Sequence, residues 1–203
     1  MTRILLITLL FIGAAMAQEP PVTTAVVPAT ADPAMAGPAT VGPATAAASD
    51  SLNPHLLPFE PYLNRTWKGT FAQEPGQALV TDISRWERIL NGQAIRMTHS
   101  VDEGVYGGET ILFWDQARET LVYYYFTTAG FFTHGTMSFN GDKWVAHEMV
   151  ENNANGITEV RSTSEFLPDG TMQSVAEFLQ NGQWVPGHTI RYVESPGSPL
   201  IFK

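Results

Sequence analysis

Cysteine is absent from the 203 residues of this chain. Its absence excludes a disulfide framework, a zinc–thiolate site, a cysteine nucleophile and a lipid anchor attached to cysteine. Basic residues are also few, with 11 Lys and Arg against 20 Asp and Glu, which gives a formal net charge of −9. That balance argues against a nucleic-acid partner, because nucleic-acid-binding domains carry a basic patch.

The sequence also lacks the common motifs of enzymatic chemistry. It contains no Gly-x-Ser-x-Gly, Ser-x-x-Lys or His-Glu-x-x-His, and no glycine-rich loop of the phosphate-binding kind. Carboxylates such as Glu109 and Glu148 recur on predicted strands, and an inward pair could act as general acid and base. The sequence does not say which face they occupy, so it does not favour an enzyme.

Residues 1–17 have the pattern of a secretory signal peptide. Arg3 precedes an apolar run over residues 4–15, and Ala15 and Ala17 form a small-x-small cleavage pattern. A membrane anchor is the alternative, but the run spans only about 18 Å at about 1.5 Å per residue, against roughly 30 Å of bilayer core. We expect cleavage after Ala17, a periplasmic or secreted protein, and no integral membrane segment after cleavage.

Residues 18–50 are rich in alanine, proline and threonine and contain no aromatic residue. The triplet Pro-Ala-Thr recurs at Pro28, Pro38 and Pro43. Such a segment buries too little apolar surface to offset its chain entropy, which predicts a disordered, semi-stiff linker. The linker is either a tether through a cell envelope or a tail without consequence.

Residues 51–203 are predicted to form one all-β domain. Asn-Gly or Asp-Gly pairs separate runs of aromatic and β-branched residues, and these pairs favour the type I′ turns of hairpins. They are Asn91-Gly92, Asn140-Gly141, Asn155-Gly156, Asp169-Gly170 and Asn181-Gly182. About ten consecutive strands predict a single up-and-down antiparallel β-barrel, since closure removes both sheet edges. A short helical turn within residues 54–64 precedes it, and an open sandwich is the alternative.

The predicted strands begin near regularly spaced positions: Trp67, Leu79, Ala94, Thr110, Leu121, Phe131, Lys143, Thr158, Thr171 and Gln183. Counting outward from each two-residue turn predicts which residues face one another on neighbouring strands. The predicted pairs are Trp86 with Met97, Glu87 with Arg96, Met137 with Trp144, His134 with His147, and His188 with Val175.

Three histidines are candidate ligands. His134 and His147 could hold a metal ion across a strand pair, although a third ligand is wanted and two surface histidines are the alternative. His188 lies on the last strand, where an inward imidazole could ligate haem iron or orient a ligand. A hydrogen-bonded histidine at the rim or surface is the alternative for His188.

Aromatic residues are the other candidates for a binding site. The run from Tyr123 to Phe126 and the pair at Phe131 must supply both faces of their strands, since neighbours alternate. What large side chains leave unfilled in a wide barrel is a ligand cavity. We predict that a small hydrophobic ligand is walled by Tyr124, Phe126, Phe131, Met137 and Trp144, with His188.

The first strand carries Trp67-Lys68-Gly69, which resembles the opening strand of the lipocalin and calycin superfamily. The resemblance implies that Trp67 closes one end of the barrel under an arginine of the last strand, for which Arg191 is the candidate. The wider pattern is similar to bacterial lipocalin-like domains of unknown function, which are distant relatives of the nitrobindin-like haem barrels. That relation implies His188 as the haem-ligating histidine.

The leading hypothesis is therefore an exported module that binds a small hydrophobic or aromatic molecule. The alternatives are a haem or nitric-oxide barrel that uses His188, a calycin-type enzyme that uses barrel carboxylates, and a structural envelope protein whose barrel is packed solid. Apart from the haem of the first alternative, no cofactor is predicted.

Overall fold

The structure is a computed structural model that describes residues 51–72, 76–151 and 153–203. The predicted signal peptide (1–17) and linker (18–50) lie outside the described residues. Among the described residues, no helix has the length and apolar character needed to cross a membrane.

A 3₁₀ helix over Pro54–Tyr62 precedes the first strand, and strands then follow one another along the chain. Their bounds are β1 Arg65–Phe71, β2 Thr81–Ile89, β3 Ala94–Val101, β4 Tyr106–Asp115, β5 Thr120–Thr127, β6 Phe132–Asn140, β7 Lys143–Met149, β8 Ile157–Phe166, β9 Met172–Gln180 and β10 Gln183–Glu194. Short 3₁₀ turns over Leu90–Gly92 and Asp102–Gly104 connect β2 to β3 and β3 to β4.

Within the described residues, the ten strands form one closed antiparallel barrel. Each strand pairs with the next along the chain, and β1 pairs with β10 to close the sheet. The predicted up-and-down barrel with a short helical turn is thus confirmed, and the structure is not an open sandwich. Nine strands begin within two residues of the predicted position, whereas β4 begins at Tyr106, four residues before Thr110.

The predicted register of the β2–β3 hairpin is confirmed. Trp86 faces Met97 and Glu87 faces Arg96 across the two strands. Asn91 and Gly92 take positive φ angles of 53° and 83°, the conformation that these residue types tolerate best. The Arg96 and Glu87 side chains form an ion pair of 2.9 Å on the outer face.

The predicted register of the β6–β7 hairpin is wrong, because the turn lies one residue later than predicted. Asn140 pairs with Lys143, so the turn residues are Gly141 and Asp142, with the positive φ of 66° at Gly141. Met137 consequently faces Ala146 rather than Trp144. The partners move by two residues, and because side chains alternate with period two, the inner and outer faces stay as predicted.

The β9–β10 hairpin contains a bulge that the turn count did not predict. The register shifts between Pro186 and Thr189, so Thr189 rather than His188 faces Val175. A bulge inserts one extra residue in one strand and re-aims the side chains beside it. Here it turns the His188 side chain toward the barrel interior, where it lines the cavity described below.

The 3₁₀ helix closes one end of the barrel. Leu56, Phe59 and Tyr62 are at most 2% exposed, and Phe59 packs among aromatic rings that flank the turns at that end. Its ring centroid lies 4.9 Å from that of Phe139 and 6.1 Å from that of Trp144. The helix is thus held by its apolar side chains, as expected for a segment too short to be stable alone.

Trp67 lies at the same closed end, but its predicted arginine partner is wrong. The ring is 1% exposed, and its Nε1–H donates to the Tyr62 carbonyl at 3.3 Å. The guanidinium carbon of Arg65, on the same strand, is 6.0 Å from the Trp67 ring centroid. Arg191 instead faces outward and pairs with Asp169, because its neighbour Tyr192 occupies the inward position on β10.

Candidate functional site

The barrel interior contains a cavity of about 230 Å³ that is partly open to solvent, so the interior is not packed solid. Its apolar wall consists of Met97, Met137, Trp144, Ala146, Val160, Phe178 and Ile190. Its polar lining consists of Asp82, His99, Tyr106, Thr110, Tyr123, Tyr125, Glu148, Ser162, Ser174, His188 and Tyr192. The cavity therefore offers a ligand an apolar surface and several hydrogen-bonding groups.

Three of the predicted site residues, Met137, Trp144 and His188, line this cavity. Trp144 separates the cavity from the 3₁₀ helix, since its Nε1–H donates to the Tyr62 hydroxyl at 3.1 Å. His188 reaches the cavity through the bulge in β10.

The predicted placement of the other aromatic candidates in the cavity wall is wrong. Tyr124 and Phe126 are 42% and 49% exposed on the outer face of β5. Alternation along the strand instead turns Tyr123 and Tyr125 into the cavity. Phe131 precedes β6, is only partly buried and does not line the cavity.

A buried carboxylate, Asp82 on β2, anchors the polar side of the cavity. Its Oδ2 accepts a hydrogen bond of 2.7 Å from the Tyr192 hydroxyl. Its Oδ1 lies 2.9 Å from Nδ1 of His99 on the neighbouring strand. Both carboxylate oxygens therefore have partners, which a carboxylate that is only 2% exposed requires.

The network continues from His99 to two tyrosines. Nε2 of His99 lies 2.8 Å from the Tyr125 hydroxyl, which lies 2.9 Å from the Tyr106 hydroxyl. Burial raises the pKa of Tyr106 to about 12 and raises that of Tyr125 further. Both phenols therefore stay protonated at neutral pH and act as hydrogen-bonding groups.

Glu148 on β7 is the second carboxyl group of the cavity. It faces Gly135 on β6 and Val160 on β8, and its Oε1 is fully buried without a hydrogen-bond partner. The Thr133 hydroxyl lies beside the Glu148 carboxyl group and interacts with it. Burial raises the pKa of Glu148, and the Thr133 hydroxyl and the His99 ring oppose this shift only in part.

His188 is held against aromatic rings. Its ring centroid lies 5.5 Å from that of Phe71 and 6.0 Å from that of Phe178. Burial lowers the pKa of His188 to about 4, although the charge of Asp82 opposes the shift. At neutral pH the imidazole is therefore uncharged.

The structure does not pair His134 with His147. Their strands are offset, so His134 faces Met149 and stacks on Tyr124 with ring centroids 6.0 Å apart. Nδ1 of His147 instead lies 2.6 Å from a carboxylate oxygen of Glu159. Across residues 51–72, 76–151 and 153–203, no group of three or more metal-ligating side chains comes together.

The sequence-based candidates omitted Asp82 and His99 and left open which face Tyr125 and Glu148 occupy, although the sequence carried a signal for three of the four. The correctly predicted pairing of Trp86 with Met97 puts both on the inner face, and counting by two along each strand reaches Asp82 and His99. The same count from Trp144 reaches Glu148.

Comparison with known proteins supports the fold and gives no function. No family model matches the chain, and no curated protein matches it. Among solved structures, it is similar to the crystal structure of Rv2717c from M. tuberculosis, with a TM-score of 0.50 and 14% sequence identity. The match covers 71% of this chain and 99% of that one. At this identity the likeness shows a shared barrel fold alone.

Proposed function

We propose that this protein is an exported, lipocalin-like barrel that binds a small hydrophobic or aromatic molecule in its interior. The observation that carries the proposal is the cavity of about 230 Å³, which is lined by both apolar side chains and hydrogen-bonding groups. Ligand sites in proteins have this composition, an apolar lining with a few polar groups that fix orientation.

The cavity volume limits the size of the ligand. An engineered apolar cavity of about 150 Å³ holds a benzene ring. A cavity of about 230 Å³ therefore suits one ring with a short substituent. Rings of Trp144 and Phe178 supply part of the wall, and offset or edge-on contact with a ligand ring would stabilise the complex.

Blocking the cavity tests this proposal. Ala146 lines the cavity, whereas its neighbour Val145 lies on the outer face of the same strand. We expect parent protein and Val145→Phe to bind indole or 4-methylphenol in ligand-observed NMR, and Ala146→Phe to lose the signal. Equal binding by the two variants would place the ligand outside the barrel. Native mass spectrometry of protein exposed to a lipid extract extends the test to unknown ligands.

A haem does not fit this cavity. A porphyrin carries four pyrrole rings in one rigid plane. An apolar cavity of about 150 Å³ holds a single benzene ring, and the cavity of this barrel measures only about 230 Å³. His188 is the residue that the haem hypothesis would use, and it is enclosed by Phe71 and Phe178. We expect haem titration of parent protein and His188→Ala to give the same spectra, without a Soret shift that depends on His188.

Glu148 supports a second candidate function, a calycin-type isomerase or hydrolase. A partly buried carboxyl group with a raised pKa beside a cavity is a common form of general acid. The network from Asp82 through His99 to Tyr125 would orient a substrate beside it. Turnover of small aryl esters or ketones that is lost in Glu148→Gln would support this function, and turnover unaffected by that change would contradict it.

A further inference from the structure

The charged groups of the cavity are unbalanced. Neither lysine nor arginine lines it, whereas Asp82 and Glu148 both do. Of the two histidines in the lining, His188 is uncharged at neutral pH, because burial lowers its pKa to about 4. The other, His99, is bonded to Asp82.

The two carboxyl groups differ in their partners. Asp82 uses one oxygen for Tyr192 and the other for His99, so a ligand is not needed to satisfy it. Glu148 forms no salt bridge with any described residue, and its Oε1 has no hydrogen bond. A partly buried carboxylate that has one fully buried oxygen and no salt-bridge partner is costly, and a positively charged ligand would offset that cost.

Three tyrosines of the cavity lining lie near Glu148. Tyr106, Tyr123 and Tyr125 lie close enough to Glu148 for its charge to raise the pKa of each of them. Trp144 lines the cavity from the same strand as Glu148, four residues earlier. Electron-rich rings attract a cation at their faces, and the attraction is larger in a site shielded from water.

We propose that the cavity binds a small primary amine with an aromatic body, whose ammonium group pairs with the Glu148 carboxylate and contacts the tyrosine rings beside it. This inference rests on the proposed function, because it assigns a ligand class to the same cavity. A primary ammonium group brings three N–H donors, and the Glu148 carboxylate and nearby hydroxyls are acceptors for them.

The proposed binding is linked to a proton. The carboxyl group of Glu148 loses its proton to solvent when the ammonium group arrives, so affinity rises as pH rises toward the raised pKa of Glu148. The groups that face Glu148 are His99 on β3, Tyr106 on β4, Tyr123 and Tyr125 on β5, and Thr133 on β6. On the β8 side its partner is the apolar Val160.

Three probes with the same ring test the charge preference: 2-phenylethylamine, 2-phenylethanol and 3-phenylpropanoate. In calorimetric titrations of the full protein at pH 7.5, we expect the amine to bind at least about tenfold more tightly than the alcohol. The carboxylate probe should bind most weakly, because Asp82 and Glu148 both repel it. The preference for the amine should shrink as the pH is lowered to 5.

Glu148→Gln keeps the shape of the side chain and removes its charge. We expect this variant to bind the amine no better than the alcohol. Glu159→Gln, which removes a carboxylate paired with His147 on the outer face, is the matched control and should bind all three probes as the parent does.

The outcomes separate the two proposals. If the alcohol binds as tightly as the amine, or if amine affinity falls as pH rises, the amine proposal is overturned while the cavity remains a ligand site. If none of the three probes binds the parent, the proposed function and the amine proposal fail together. The probe series and the pH series need only the parent protein, so poor folding of Glu148→Gln would not prevent the test.

Discussion

The indole N–H of Trp144 donates a hydrogen bond of 3.1 Å to the phenol oxygen of Tyr62. The two residues are far apart in sequence, one on the 3₁₀ helix and the other on β7. Both are buried, and burial raises the pKa of Tyr62 to about 12 even though the Trp144 bond opposes the shift. This bond joins the segment that closes the barrel to the wall of the cavity.

Removing the acceptor of this bond should destabilise the protein. Tyr62→Phe leaves the buried N–H of Trp144 without a partner, and an orphaned buried donor costs about 1–3 kcal/mol. Urea unfolding followed by tryptophan fluorescence measures the change. Tyr124→Phe, which removes an exposed hydroxyl on the outer face, is the control. Equal loss in both variants would show that the Trp144 bond contributes no stability.

The packing of the 3₁₀ helix should matter more than its hydrogen bonds. Phe59 is fully buried among aromatic rings, so Phe59→Ala should lower the free energy of unfolding by about 3–5 kcal/mol. Leu57 lies on the same segment and is 48% exposed, so Leu57→Ala should change it by less than about 0.5 kcal/mol. Thermal unfolding distinguishes the two, and similar losses would mean that the helix does not close the barrel.

His188 should make the protein less stable in acid. Its pKa is about 4 when folded against an ordinary value of 6.5, so the unfolded state binds more protons between these values. The free energy of unfolding is therefore highest above pH 6.5. It falls as the pH is lowered toward 4, and protonation of this residue contributes up to roughly 3 kcal/mol of the loss.

His188→Gln tests that dependence. The variant should lose less stability than the parent between pH 7 and pH 4 in urea unfolding, whereas His134→Gln on the outer face should follow the parent. Parallel pH curves for the parent and His188→Gln would show that the ring is not buried as described.

Glu148 should make stability depend on pH in the opposite direction from His188. Its pKa is raised in the folded state, so its favourable contribution is present below the ordinary carboxyl pKa and is lost as the pH rises through the raised value. Without ligand, Glu148→Gln should therefore be more stable than the parent at pH 7, and the gain should shrink at pH 4. Differential scanning calorimetry at the two pH values measures this, and a variant that is less stable than the parent at pH 7 would contradict it.

Gly135 should not tolerate a side chain. A Cβ there would clash with the carbonyl oxygen of His147 on β7 and lie 2.7 Å from the Tyr123 hydroxyl. We expect Gly135→Ala to cost more than about 2 kcal/mol, since backbone cannot move aside cheaply. Gly130→Ala, where φ is +83° and the space is open, should cost about 1 kcal/mol. Equal costs in thermal unfolding would show that conformation rather than space limits Gly135.

The sequence predicts the barrel well because its turn residues recur at intervals of one hairpin. The Asn91-Gly92 pair lies at the centre of the four-residue loop between Ile89 and Ala94, so counting outward from it gives both the register and the faces of β2 and β3. At Asn140-Gly141 the same rule misplaces the turn, because Gly141 suits its first position as well as its second. A turn motif therefore predicts whether a side chain points into or out of the barrel more reliably than it predicts the residue that faces it on the next strand.

The aromatic wall and the bulge could not be predicted in the same way. In β5 the alternate sets Leu121-Tyr123-Tyr125 and Val122-Tyr124-Phe126 are equally apolar, so hydrophobicity does not separate the inner face from the outer. The inward turn of His188 depends on one extra residue in β10. The position of that extra residue is defined by how β10 pairs with β9, and the sequence of β10 alone does not contain this information.

Closure of the sheet also fixes the order in which the protein can finish folding. β1 pairs with β10, so Trp67 on the first strand lies beside Glu194 at the end of the last. Until the residues of β10 leave the ribosome, β1 and β9 each present an unpaired strand edge, and such edges recruit other chains. A chain truncated before Gln183 should therefore aggregate rather than form a smaller barrel, and holding the nascent chain unfolded until synthesis is complete would protect it.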